Sequence, residues 1–270
     1  MGGNSLPKLN PDNPAVAEAL SEVVAYWKGV DGWRLDAAHL LPALFLKKLR
    51  KSFENVNPQG ILIGEEWEHA GAAIREGLYD GVTNFLFRRP LEAFFKGDLA
   101  AESLVRRLSL VPETYPWPGV VQSWNFLDNH DTDRFLTAVG GRTDRLDIAI
   151  ALMFTLPGTP MIYYGDEIGM RGKDSLASRA PMLWERKRWK KEVFEIFKRF
   201  IALRKAHPVL ATGSLEWLQA SNESSSFAFA RSNPEERIVV AVNAGEFEEK
   251  FILGGKKFSL PPGGVEVLFS

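Results

Sequence analysis

Up to about residue 206 the chain alternates between stretches with helical spacing of apolar positions and short continuous apolar runs. Pro14 to Gly29 (PAVAEALSEVVAYWKG) reads as an amphipathic helix, opened by Asn13 and Pro14 and closed by glycine. GWRLD (32–36) reads as a short strand, Pro42 to Val56 as a helix, and ILIGEEW (61–67) as an apolar strand ending in charge. GVTNFLF (81–87) is a third strand candidate, and helical stretches at 90–96 and 101–110 lead to VVQSWNFLDNHD (120–131). A helix over 142–155 precedes TPMIYYGDE (159–167), and a last one covers about 190–206.

From about Pro208 the pattern changes to short alternating runs: SLEWLQA, SSFAFARS, RIVVAVNA, EKFILGG and GGVEVLFS. Asn233-Pro234, Gly254-Gly255 and Pro261-Pro262-Gly263-Gly264 separate them as turns, the pattern of a small antiparallel sandwich. The expected organisation is therefore an α/β domain over 1–207 and a β-sandwich over 208–270. Apolar strands alternating with helices imply a parallel sheet covered on both faces, either doubly wound or closed as a barrel. Asp36, Glu65, Asp131 and Asp166 all fall at C-terminal ends of strands. βα-barrel enzymes place their chemistry there. A nucleotide fold would carry a glycine-rich phosphate loop, and none is present.

Composition narrows the field. At 270 residues, 45% hydrophobic and 25% charged, the chain can bury a substantial core. A formal net charge of -1 offers no field to hold nucleic acid. No apolar run is long enough for a membrane span, and the opening MGGNSLPKLN lacks the pattern of a secretory signal. The absence of cysteine excludes a disulfide scaffold and a thiolate nucleophile, and all of this fits a cytoplasmic protein. Trp33, Trp67, Trp117 and Trp124 stand near polar clusters, where they could stack on sugar faces or fill the core.

Three carboxylates at ends of successive strands could meet in one cleft, although 29 and 66 residues separate them. Glycoside hydrolysis needs such a set: one carboxylate attacks, and another protonates the leaving oxygen. In GWRLDAAH (32–39) the period of two puts Arg34 and Asp36 on one strand face, where the guanidinium favours the charged carboxylate. This segment resembles the second conserved region of the α-amylase family. ILIGEEW resembles the third, with Glu65 at the general-acid position. FLDNHDTDR (126–134) resembles the fourth, with His130 and Asp131 matching a sugar-binding histidine and a transition-state-stabilising aspartate. GTPMIYYGDEIGM (158–170) and SRAPMLW (178–184) resemble the eighth strand and the loop after it. The resemblance implies a (β/α)8 TIM barrel, present as strands four to eight and followed by the β domain. It implies Asp36 as nucleophile, Glu65 as acid and base, Asp131 as stabiliser, and Arg34, His130, His39 and Trp67 as substrate-binding residues. Stereochemistry would be retained.

Two departures alter the picture. Many amylases carry Lys and His three and four residues after the nucleophile, where this chain has His39 and Leu40, so acceptor-side sugar contacts differ. Glu66 is a second acid beside Glu65, which strand alternation turns away from the cleft. LPKLN (6–10) resembles the MPKLN signature of neopullulanases, cyclomaltodextrinases and maltogenic amylases, which act on cyclodextrins, pullulan and short maltodextrins. Strands one to three have no counterpart, nor does the family's calcium-ligand region, so no metal or other cofactor is expected. Five parallel strands cannot close, and both edges would expose backbone groups and apolar side chains. The expected function is a retaining α-1,4-glucan hydrolase whose cleft is completed by a homo-oligomer. The alternative is an inactive half-barrel subunit with a structural or glucan-binding role. Transfer to an acceptor sugar would use the same residues.

Overall fold

The computed structural model describes residues 7–253 and 255–269; Leu6 of LPKLN and Gly254 of the Gly254-Gly255 turn lie outside the described residues. In chain order the elements are α1 (Pro14–Tyr26), β1 (Gly32–Leu35), α2 (Ala43–Val56), β2 (Ile61–Gly64), α3 (Gly71–Arg75), β3 (Gly81–Val82), α4 (Phe85–Lys96), α5 (Ala101–Thr114) and α6 (Trp117–Gln122). There follow β4 (Trp124–Asn125), α7 (Phe135–Ala138), α8 (Thr143–Thr155), β5 (Thr159–Pro160), α9 (Asp174–Ser178), α10 (Lys191–Ala206) and α11 (Val209–Thr212). Six strands end the chain: β6 (Ser214–Ser221), β7 (Ser226–Ser232), β8 (Arg237–Asn243), β9 (Glu249–Leu253), β10 (Lys256–Leu260) and β11 (Gly264–Phe269). No helix among the described residues is long and apolar enough to cross a membrane.

Contacts divide the chain into two compact units, 1–83 with 115–123, and 84–114 with 124–270. In the first, β1, β2 and β3 form a parallel sheet in that order. Leu35 pairs with Gly64, and Gly64 with Val82. Among the described residues β1 has a strand partner on one side only. The α1 cap is the expected one, since the Asn13 side chain accepts from the Ala15 N–H, but the helix stops at Tyr26, short of Gly29.

The strand expected over 81–87 is corrected. Only Gly81 and Val82 pair, because the Asn84 side chain accepts from the Phe87 N–H and caps α4, which takes the FLF segment into a helix. VVQSWNFLDNHD is likewise mostly not strand: Val120–Gln122 end α6, and only Trp124 and Asn125 pair, with Thr159 and Pro160.

In the second unit β6, β7, β8 and β11 form an antiparallel sheet in the order β11-β8-β7-β6, and β9 pairs with β10. The run KKFSL, absent from the sequence reading, is β10. β7 is buried on both faces. Phe227 and Phe229 join a large core with Leu91, Leu104, Ile150, Phe197 and other residues of α4, α5, α8 and α10, while Ala228 and Ala230 meet Phe251 and Leu260.

Two arginines, Arg231 fully buried and Arg204 half-buried, fasten this core with no carboxylate partner among the described residues. Arg231 of β7 donates to the carbonyls of Thr155, Leu210, Gly213 and Ser214 at 2.5–3.0 Å. Arg204 of α10 donates to those of Phe154, Leu210 and Gly158 at 2.6–3.0 Å. Burial lowers the Arg231 pKa to about 9 and that of Arg204 to about 10. The acceptors include the last carbonyls of α8, which carry the negative end of the helix dipole. Arg231→Ala should cost on the order of 3–5 kcal/mol, because four carbonyls lose a buried donor. Urea unfolding should show this as a lower midpoint, with no comparable loss for an exposed control such as Arg106→Ala.

Candidate active site

In the first unit the site follows from strand register. Because Leu35 pairs with Gly64, the next residues, Asp36 and Glu65, leave adjacent strands at the same C-terminal edge, and the Glu65 N–H donates to the Leu35 carbonyl at 2.9 Å. Arg34, two residues before Asp36, bridges them: Nη1 contacts Asp36 Oδ1, and Nη2 lies 2.8 Å from Glu65 Oε1. The second Glu65 oxygen accepts from the Ala37 N–H at 2.7 Å. Ala37 reaches it in a left-handed conformation, with φ of 44°, which only a few per cent of non-glycine residues adopt. The two carboxylates differ sharply in environment, the Glu65 side chain being 6% exposed and that of Asp36 80%.

The other expected residues of this unit are near but less engaged. His39 is exposed, its Nδ1 3.5 Å from the Glu65 carbonyl, and Trp67 is half-buried. Trp33 and Trp117 of this unit and Trp124 of the other are half-buried as well, so all four tryptophans sit between core and surface. From the LPKLN segment, Lys8 donates to the Leu40 carbonyl at 2.7 Å, tying this stretch to the loop that follows Asp36. Asn10 receives the Asp12 N–H at 3.0 Å and orders the turn before α1.

In the second unit Asp131 has both carboxylate oxygens engaged. Oδ2 lies 3.0 Å from His130 Nε2, and Oδ1 accepts from Arg179 Nη2 at 3.0 Å. Arg179 also donates from Nε to the His130 carbonyl at 2.9 Å, and the Asn129 side chain accepts the Asp131 N–H. Asp166, expected at a strand end, instead opens a short helical turn (Asp166–Ile168) beyond β5 and is used differently. Its side chain, that of Asp128 and that of Arg134 are almost wholly buried together. Arg134 Nη1 donates to Asp166 Oδ1 at 2.8 Å and to the Tyr164 carbonyl at 2.6 Å. Its guanidinium lies 4.1 Å from the centre of the Tyr163 ring. Burial raises the pKa of both aspartates, and one arginine cannot balance two buried negative charges. This cluster is a structural anchor under the 128–135 loop, whose Phe135 N–H donates to Asp128 Oδ2 at 2.6 Å.

Two site features escaped the sequence reading. Arg179 lies within SRAPMLW, a segment marked only as a motif, and its pairing needs two loops distant in sequence. The left-handed Ala37 carries no sequence signal. Glu66, expected to turn away from the cleft, is buried and accepts from the Tyr79 hydroxyl. Burial raises its pKa, against the opposing hydrogen bond from Tyr79 and the charge of His39. A carboxyl with a raised folded pKa favours folding in its protonated form, so its contribution is full below the unfolded value and is lost as pH rises through the folded one. Glu66→Gln keeps an acceptor for Tyr79 and carries no charge. It should raise the Tm at pH 7 and leave it unchanged near pH 4. Thermal melts of both proteins across pH 4–8 check this.

Residues 1–188 match the alpha amylase catalytic domain family model. The chain is 36% identical over 242 residues to neopullulanase 2 of Thermoactinomyces vulgaris, covering 88% of this chain and 41% of that protein. It is 34% identical over 242 residues to a cyclomaltodextrinase of a Bacillus species, covering 88% and 43% respectively. The cyclic alpha-maltosyl-(1→6)-maltose hydrolase of Arthrobacter globiformis, solved in complex with that sugar, superposes with a TM-score of 0.93 at 27% identity, over 98% of this chain and 62% of that one. The chain thus spans about two-fifths of the length of the curated relatives it matches. Its fold is the expected partial (β/α)8 barrel followed by antiparallel β sheets. On this match the chain belongs to the α-amylase family.

Proposed function

We propose that this chain carries the catalytic residues of a retaining α-glucan hydrolase that acts on cyclodextrins, pullulan or short α-1,4-maltodextrins. The observation that carries the reading is Arg34, which joins the carboxylates of Asp36 and Glu65 at the ends of adjacent parallel strands. Asp36, the more accessible of the two, attacks the anomeric carbon and forms the glycosyl-enzyme. Glu65 protonates the departing oxygen and then takes a proton from the incoming water. Arg34 fixes the position of Asp36 relative to Glu65 by pairing with both. Asp131 and His130 hold ring hydroxyls as positive charge develops, in the pose that Arg179 maintains. The domain division we propose remains 1–207 for the barrel portion and 208–270 for the β domain.

Release of reducing sugar from γ-cyclodextrin, pullulan and soluble starch tests the reading. Turnover of γ-cyclodextrin should exceed that of starch, and Asp36→Asn should lower it by about 10⁴-fold or more. Activity that survives Asp36→Asn refutes the assignment of the nucleophile.

One observation favours assembly. A nucleophile 80% exposed lacks the walls that hold a sugar against it in a concave site. Large apolar side chains in the same unit are exposed as well, among them Leu9 at 63%, Tyr26 at 78% and Leu44 at 82%. Burying 800 Å² of such surface would contribute on the order of 20 kcal/mol. That matches or exceeds the net stability of a domain, about 5–15 kcal/mol. We propose a two-fold homo-oligomer that covers the open side of the half barrel. Light scattering over a wide dilution range should give a dimer or larger species. A monodisperse monomer that melts cooperatively at low concentration refutes it.

A further inference from the structure

We propose that the second unit carries a separate binding site for a linear α-linked gluco-oligosaccharide, in a cleft that shares no residue with either carboxylate cluster. The cleft has a volume of about 890 Å³. This lies within the range of about 300–1,000 Å³ usual for ligand sites. Three turns form it: residues 94–100 between α4 and α5, 221–225 between β6 and β7, and 244–249 between β8 and β9.

These walls are fixed before any ligand arrives. The Asn222 side chain accepts the Glu102 N–H at 2.9 Å and pins the β6–β7 turn to the start of α5. The Ala244 N–H donates to the Ser225 carbonyl at 3.1 Å, joining that turn to the next. Asn243, fully buried, donates to the carbonyls of Phe247 and Leu260 at 2.8 and 2.9 Å and accepts the Gly245 N–H at 3.0 Å. A Cβ on Gly245 would lie 2.3 Å from the Ser224 carbonyl oxygen, so only glycine lets the two turns approach this closely.

On this fixed turn Phe247 is 83% exposed. A phenyl ring held in water forgoes about 1.5–3 kcal/mol of burial and offers a flat apolar face to a ligand. Beside it the cleft presents Lys96 and Arg145 against Glu223, Glu246, Glu248 and Glu249, two cations to four carboxylates. A net charge of -2 repels a polyanion, while charged groups of both signs suit a neutral ligand rich in hydroxyls. A sugar has this character, with an apolar C–H face to lie on the ring and an edge of hydroxyls to bond the charged groups. The choice of α-linked glucose rests on the function proposed above. A glucan held here keeps its other segments at high local concentration around the chain.

The full-length Glu65→Gln chain, which should not turn substrate over, is titrated with maltohexaose and with cellohexaose while its backbone amides are followed by NMR. Maltohexaose should shift amides of 221–225 and 244–249 with a Kd on the order of 1 mM. Phe247→Ala should weaken that binding by about tenfold or more, and Phe247→Trp should retain it. The same spectra report whether each variant is folded, and the tryptophan variant preserves the test if the alanine variant is not. Shifts confined to other residues, no shifts at tenfold higher sugar, equal binding by Phe247→Ala, loss of binding in a folded Phe247→Trp, or equal binding of cellohexaose would each overturn the proposal. Sugar release by the unsubstituted chain is measured in parallel. Its absence beside groove binding tells against the hydrolase and leaves this site standing.

Discussion

A single guanidinium organises the carboxylates of the first unit. Two acids that leave adjacent strands at the same level would repel, by about 4 kcal/mol for charges 4 Å apart in an effective dielectric of 20. Arg34 turns that repulsion into a shared ion pair. It can do so because strand geometry places it on the same face as Asp36 and one strand away from Glu65. Lysine would not serve equally, since one ammonium lacks the planar fork that meets two carboxylates at once. The backbone adds a second constraint. Ala37 takes an unfavourable left-handed turn and thereby aims its N–H at Glu65, so the residue after Asp36 also orients the partner acid.

The same ion pair shows that position and accessibility are set separately. Asp36 and Glu65 share a donor, yet one side chain is 80% exposed and the other 6%. The difference lies in the strands around them. β2 is flanked by β1 and β3, whereas β1 is paired on one side only among the described residues. A residue at the end of an inner strand inherits walls from both neighbours, and one at the end of an edge strand does not.

Much of this was legible in the sequence because it follows from periodicity and local chemistry. The alternation of helices and strands, the cap at Asn13, and Asp36 and Glu65 at strand ends all derive from patterns a few residues long, whereas Asp131 and Asp166 lie in the loops beyond β4 and β5. Strand lengths were not legible. β3, β4 and β5 pair over two residues each, and what stops them is the capping of a helix or the reach of a neighbour rather than their own apolar character. FLF (85–87) has the composition of a strand and lies in a helix because Asn84 caps it. β10 was missed for the opposite reason, its lysines hiding the alternation that seats Leu260 against Phe251. The partners of Asp131 were only half legible. His130 is its neighbour in sequence, but Arg179 comes from a loop 48 residues away.

Buried charge is handled in two ways in the second unit, with different consequences. Arg134 faces two aspartates whose pKa values burial raises, so that cluster depends on where a proton resides. Arg204 and Arg231 donate to carbonyls, which do not titrate, so their grip does not depend on the protonation of an acid partner. The carbonyls belong to the ends of α8 and α11 and to the chain entering β6, so the two arginines join helices to the first strands of the terminal sheet. Phe227, on β7 like Arg231, carries the core of α4, α5 and α8 into that sheet. The turns at the ends of β6 and β8 are thereby held against the α4–α5 connection at two levels, by core packing and by the Asn222 and Asn243 bonds. Phe247 stands on the second of these turns and remains 83% exposed there.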